Sequence, residues 1–152
     1  MLEEHFQRVY LKFKINLYSK VFSRFETREA SLTTVETFCA EIIHALNNPT
    51  VNEFAQFVNI SAQNATHKIN SLVRKGYVAK WRSPEDKREF RLSATDKFFQ
   101  YYNISTEYVH EVIRRMYKRC DPEDLIAFDR VLEIIDRELM PEVVIGNSGT
   151  DV

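Results

Sequence analysis

The sequence predicts a mainly α-helical fold with one small β-hairpin, and three observations carry that expectation. Apolar residues recur every three or four positions through most of the 152 residues, the period of helices that bury one face. One stretch breaks the rhythm: RKGYVAKWRSPEDKREFRLS, residues 74–93, leaves through a glycine, alternates, turns at a proline among charges and alternates again. Hydrophobic residues make up 44% and charged residues 28% of the chain, close to a globular domain and far from a disordered segment. At 18.0 kDa the chain is long enough to build one domain around a sizeable core.

The elements follow in order. Phe6, Val9, Tyr10, Phe13, Leu17, Val21 and Phe25 line one face of a long amphipathic helix over about 3–25. A second helix, over about 32–47, turns Val35, Phe38, Cys39, Ile42, Ile43 and Leu46 inward and stops at Asn47-Asn48-Pro49. Thr50 and Glu53 have the Thr-x-x-Glu spacing of a capping box, opening a short helix that buries Val51, Phe54, Ala55 and Val58. Asn59 and Ile60 make a turn. Ser61 caps the next helix, which runs to about Lys75 and ends at Gly76, the residue best able to take a left-handed conformation. At about 100° per residue, Ala62, Ala65, Ile69, Leu72 and Val73 fall on one side of that helix. Asn64, His67, Ser71 and Arg74 fall opposite, flanked by Gln63, Lys68 and Lys75. Tyr77 to Arg82 then read as a strand, SPED as a turn, and Arg88 to Leu92 as a short return strand. A long helix from about Ala94 to Arg119 carries Phe98, Tyr101, Tyr102, Tyr108, Val109, Val112, Ile113 and Met116. After CDPED a last helix carries Leu125, Phe128, Val131, Leu132, Ile135 and Leu139. The end, PEVVIGNSGTDV, has the composition of a flexible tail over 141–152.

Charge is distributed unevenly within a net charge of -1. Residues 61–91 hold eight Lys or Arg against three Asp or Glu, whereas residues 121–152 hold nine acids against two arginines. A basic middle in a near-neutral chain suits either a local polyanion-binding surface or a solvated charged face. The helix at 61–75 bears on that choice, because a merely solvated face would carry Glu as readily as Lys and this one has no acid. Its outward amide, imidazole and cationic groups are the side chains that hydrogen-bond base edges in a major groove. Two short helices joined by a turn and followed by a hairpin make a winged helix-turn-helix.

These residues resemble the MarR family, the multiple-antibiotic-resistance type of bacterial transcription regulator. The likeness rests on NISAQNATHKINSLVRKGYV, on SPEDKR with its Asp-x-Arg at Asp86 and Arg88, and on LSATDK at the start of the next helix. Asp96 stands where the family usually has glycine, and Leu92 follows Arg88 sooner than the family pattern would place it, so a shortened wing is expected. The resemblance covers about residues 3–140 and implies a single domain over 1–140: dimerisation helices at about 3–25 and 94–140, and a DNA-binding lobe at about 48–93. It implies a homodimer that binds a pseudo-palindromic operator on double-stranded DNA, two winged helices beneath the joined terminal helices, and repression relieved by a small aromatic or phenolic effector. The DNA-facing residues expected on this sequence are Ser61, Gln63, Asn64, His67, Lys68, Ser71 and Arg74 on the helix, with Arg82, Asp86, Lys87 and Arg88 on the wing. Arg88 is the candidate for a minor groove, with Asp86 shaping the tip, while Arg82, Lys87 and Arg91 supply phosphate contacts.

Other classes find less support. A winged-helix module whose basic face meets an acidic protein partner remains the alternative. No G-x-G-x-x-G, phosphate loop, G-x-S-x-G or H-E-x-x-H occurs, so neither an enzyme nor a cofactor is expected. Some members of the resembled family sense oxidants or bind zinc. Here Cys39 and Cys120 lack CxxC spacing, and Glu41 with His44 or Glu107 with His110 are only two-residue pairs, so no metal is expected. No apolar run approaches the roughly 18 residues of a membrane span, and MLEEHFQRVYLKFK carries charges where a signal peptide needs an apolar run. A soluble cytoplasmic protein is therefore expected. The terminal helices have more apolar surface than a small winged helix can cover, which calls for an obligate partner.

Overall fold

The computed structural model describes residues 1–26 and 32–146, with side chains for all of them except 24–26 and 101–105. Phe25, Tyr101 and Tyr102 of the expected apolar stripes, and 147–152 of the expected tail, lie outside the described side chains and residues. The elements are α1 (Leu2–Glu26), α2 (Thr34–Ala45), α3 (Val51–Phe57), α4 (Ala62–Arg74), β1 (Val78–Arg82), β2 (Phe90–Ala94), α5 (Asp96–Arg119) and α6 (Pro122–Ile134). A π-helical turn, Ile135–Leu139, continues α6. The fold is a winged helix: mostly helical, with β1 and β2 forming a two-stranded antiparallel hairpin.

The chain divides into two compact units, residues 21–102 with 145–152, and residues 1–20 with 103–144. The buried core lies in the first of these, the hairpin unit. Ala40 and Ile43 of α2, Phe54 of α3, Ala65, Ile69 and Leu72 of α4, Leu92 of β2 and Phe98 of α5 are fully buried together. Apolar burial at about 1.5–3 kcal/mol per large side chain supplies most of what holds these short elements together. Caps then fix where each helix begins. The Thr50 hydroxyl accepts from the Glu53 N–H at 3.1 Å and Glu53 Oε2 accepts from the Thr50 N–H at 3.0 Å, the expected box. Ser61 accepts from the Asn64 N–H at 3.2 Å, as expected. Gly76 ends the α4 segment with φ +81°, and Asn59 makes the preceding turn with φ 54°. A Cβ on Gly76 would stand 3.7 Å from Lys97 Cδ, so backbone conformation rather than space requires glycine there.

Several expectations change. Val35 is 51% exposed and Phe38 is exposed too, whereas Glu36 and Thr37 between them are buried, because α2 turns polar residues toward α4. Ala62 is exposed at the first turn of α4. β2 begins at Phe90, two residues later than expected, and is as long as β1, pairing in full from Val78 with Ala94 to Arg82 with Phe90. The wing is therefore not stunted. Arg88 and Glu89 are kept out of the strand because both of their amides are used on Asp86, in the tip.

The hairpin is tied back to the turn between α2 and α3. Leu92 N–H donates to Pro49 O at 2.9 Å, and Thr50 bridges to Arg91. Asn47 and Asn48 hold left-handed φ of 54° and 59° in the same turn. Gly146 joins them: its N–H donates to Ala45 O at 2.9 Å, and a Cβ there would come within 2.5 Å of Asn47 Cβ. So part of the segment expected to be loose is seated against the end of α2.

The other unit, made by α1 to Lys20, most of α5, and α6, is different in kind. No described side chain in it is buried, and α6 has none. Phe6, Val9 and Tyr10 of α1, expected inward, are more than half exposed, and Ile126 of α6 is 71% exposed. Phe13 and Tyr108 meet edge to face at 5.6 Å within the unit. No helix among the described residues is long and apolar enough to cross a membrane.

Candidate nucleic-acid interface

The outer face of α4 is set by what its inner face buries. With Ala65, Ile69 and Leu72 in the core, Gln63, Asn64, His67, Asn70 and Arg74 form a continuous exposed stripe. The stripe offers amides, an imidazole and a guanidinium, with no carboxylate. Asn70 belongs to it although the helical-wheel reading passed over it, three residues after His67 and four before Arg74. It also meets the wing: Lys80 Nζ donates to Asn70 Oδ1 at 3.4 Å.

Ser71 is placed otherwise than expected. It is half-buried, and its hydroxyl donates to Glu36 Oε1 at 2.5 Å instead of facing outward. Lys75 also turns to Glu36, with Nζ 2.7 Å from Oε2. Lys68 is half-buried. Glu36 itself was missed, although Thr33-x-x-Glu36 repeats the spacing of Thr50-x-x-Glu53. Glu36 N–H donates to the Thr33 hydroxyl and Thr33 N–H to Glu36 Oε2, a second capping box. Burial alone would raise this carboxyl, but the bonds from Lys75, Ser71 and Thr33 outweigh it and hold its pKa at about 2.

In the wing, Asp86 Oδ1 accepts from the Arg88 N–H at 3.0 Å, Asp86 O from the Glu89 N–H at 3.0 Å, and Glu89 O from the Ser83 N–H at 2.8 Å. These bonds close the tip. The side chains of Lys87 and Arg88 are exposed, and among the described residues no acid pairs with either. Arg82 and Lys80 lie over the Phe90 ring, at 5.5 Å and 4.8 Å from its centroid. Arg91, expected to meet phosphate, is engaged within the protein: it donates to Asn48 O at 3.0 Å and to Glu85 Oε2 at 2.6 Å.

Two further features bear on chemistry. Burial pushes the Cys39 thiol up, with Lys68 pulling against it, so this cysteine is held as a thiol, while Cys120 is exposed. In the unit of terminal helices, Asn16 and Lys20 of α1 and Glu107, Tyr108, His110, Glu111 and Arg114 of α5 line an open cavity of about 620 Å³. No group of three or more potential metal ligands occurs among the described residues.

Residues 32–90, which include α2, α3, α4, β1 and the wing tip, match the sequence model of the MarR family. These residues are a MarR-family domain. Proteins of the MarR family are transcription regulators. Solved structures share the architecture over nearly the whole chain. Transcriptional regulator Tm0710 from Thermotoga maritima has a TM-score of 0.68 at 16% identity, covering 91% of this chain and 96% of that one. A MarR family protein from Bacillus stearothermophilus has a TM-score of 0.66 at 15% identity, covering 91% and 92%. Streptococcus pneumoniae FabT, solved in complex with DNA, has a TM-score of 0.62 at 17% identity, covering 91% and 94%. At these identities the likeness establishes the fold. Among curated protein sequences none matches the chain.

Proposed function

We propose that this MarR-type chain is a sequence-specific DNA-binding transcription regulator that acts as a homodimer. The observation that carries this is the acid-free exposed stripe of α4 beside a wing tip whose Lys87 and Arg88 are exposed. Gln63, Asn64, His67 and Asn70 read base edges in the major groove, amides being suited to adenine, and Arg74 reads guanine or binds phosphate. Ser61, at the helix N-terminus, and Lys68 contribute backbone contacts. Arg88 enters a minor groove with its tip shaped by Asp86, while Lys87 and Arg82 contact phosphates and set the salt dependence. That FabT was solved on DNA supports the reading.

The unburied terminal helices supply the dimer interface, and two-fold symmetry then asks for a pseudo-palindrome with half-sites about 10 base pairs apart or a multiple of that. Repression follows if the dimer covers a promoter. The cavity beside Tyr108, of about 620 Å³, has the size of a small-molecule site, and Tyr108 offers one ring to an aromatic or phenolic effector. A cytoplasmic location goes with the proposed DNA-binding role.

Selection of bound duplexes from a random pool, followed by a gel shift on the winner, tests the reading. A selected duplex bound with affinity that falls steeply with salt is the expected result. Arg88→Ala should weaken that binding about tenfold with the oligomeric state unchanged; normal affinity would remove the wing from the account. No duplex binding at low salt would leave the basic face to an acidic protein partner.

A further inference from the structure

Glu36 is a buried carboxylate on the helix behind α4, and none of the DNA-facing residues explains it. It is 8% exposed, and both of its oxygens are occupied. Oε1 accepts from Ser71, and Oε2 accepts from the Thr33 N–H at 2.8 Å and from Lys75 at 2.7 Å. Ser71 and Lys75 stand one turn apart at the C-terminal end of α4, 35 and 39 residues from Glu36 in sequence. Between α2 and α4 the buried core also includes the apolar residues Ala40, Ile43, Ile69 and Leu72, and apolar contact is not directional. A helix held by apolar contact alone can shift about its axis at small cost, whereas charged hydrogen bonds to a fixed acceptor define its angle.

We propose that Glu36 is the positioning residue of the DNA-reading helix: it fixes the rotation of α4 through Ser71 and Lys75, and keeps the Lys75 cation off the duplex. The inference rests on the DNA-reading role assigned to α4. Its first consequence is geometric, since Asn70 and Arg74, each next to an anchored residue, take their outward direction from that anchor. Its second is electrostatic. Lys75 continues a basic surface, and only its pairing with Glu36 prevents it from adding a phosphate contact that carries no sequence information. Glu36 thus favours specificity over affinity. The carboxyl stays ionised at any pH near neutrality, so the anchor is permanent and not a switch.

Glu36→Gln keeps the size of the side chain and removes its charge. Affinities for the duplex selected by the wild type, and for a shuffled duplex of the same composition, would be measured across a salt series. The expected result is a preference for the selected duplex lowered about tenfold, and a log–log salt slope steeper by about 0.9 as Lys75 finds a phosphate. Adding Lys75→Gln should return the slope to its wild-type value while the preference stays low, a pattern that loss of folding would not give. If Glu36→Gln leaves slope and preference unchanged, Glu36 does not position α4. Should that variant fail to fold, Ser71→Ala takes its place: preference should fall with the slope unaltered, and an unaltered preference overturns the proposal. Wild-type protein that binds no duplex overturns the DNA reading, and hydrogen exchange then decides the anchor separately. Faster exchange at Lys75 and Gly76 relative to Phe54 in Glu36→Gln supports it, and equal exchange refutes it.

Discussion

At the scale of single residues, the most informative group is a carboxylate that apolar periodicity conceals. Glu36 sits between Val35 and Phe38 in what reads as an apolar run, yet it is the buried residue and they are the exposed ones. Its pKa falls from an ordinary 4.5 to about 2 on folding, so the folded state binds that proton less well than the unfolded chain. The stabilisation is therefore complete above about pH 4.5 and is lost as pH falls toward 2. The shift is worth about 2–3 kcal/mol once the partial exposure of Lys75 is allowed for. Urea unfolding between pH 6 and 2 should show the wild type losing about that much more stability than Glu36→Gln. Parallel curves for the two proteins would mean that this carboxyl contributes nothing to acid sensitivity. Local signals such as Ser61, Gly76 and the Thr50–Glu53 spacing were legible because each acts within four residues. The partners of Glu36 were not, since a helical wheel gives the direction of Ser71 but not what stands in that direction.

At the scale of elements, α3 and the hairpin share one foundation. α3 has only seven residues, too few to persist by helix propensity, so its N-terminal cap and its packing must hold it. Thr50 serves α3 as cap and meets β2 at Arg91, at a site that is 3% exposed. Thr50→Ala should cost about 1 kcal/mol, read as a shift in the urea midpoint, and Thr50→Ser should recover most of it. A loss below a few tenths of a kcal/mol would show that the cap is dispensable. The existence and order of the six α-helices and both strands were readable from the sequence, and the start of β2 and the π-helical turn after α6 were not. Alternation gives the period of a strand but not its first residue, and Asp86 moved that start by taking two amides for the tip.

At the scale of the molecule, one unit carries the buried core, and the other buries none of its described side chains. Surplus apolar residues on the terminal helices were visible in the sequence, and the structure shows how complete the surplus is, since α6 buries no residue. Helices of this kind gain their stability by association, so the melting temperature should rise with protein concentration. Val131→Asp on the exposed face of α6 should shift sedimentation from dimer to monomer and lower the melting temperature by several degrees. A wild type that sediments as a monomer at micromolar concentration would remove the dimer and the paired half-sites together.

The turn at Asn47 to Pro49 has one more consequence, for chain length. Three bonds from two segments rest on it or on the helix end beside it: in β2, Leu92 on Pro49 O and Arg91 on Asn48 O, and near the C-terminus Gly146 on Ala45 O. A residue inserted there must break one of these bonds or push the wing out of line with α4, because both asparagines are already in the left-handed region. The wing tip carries less: its own closure by Asp86 and one exposed pair from Glu85 to Arg91. Among chains of this architecture, then, the tip is free to grow or shrink and so to change how far it extends along a duplex, while the turn must keep its length.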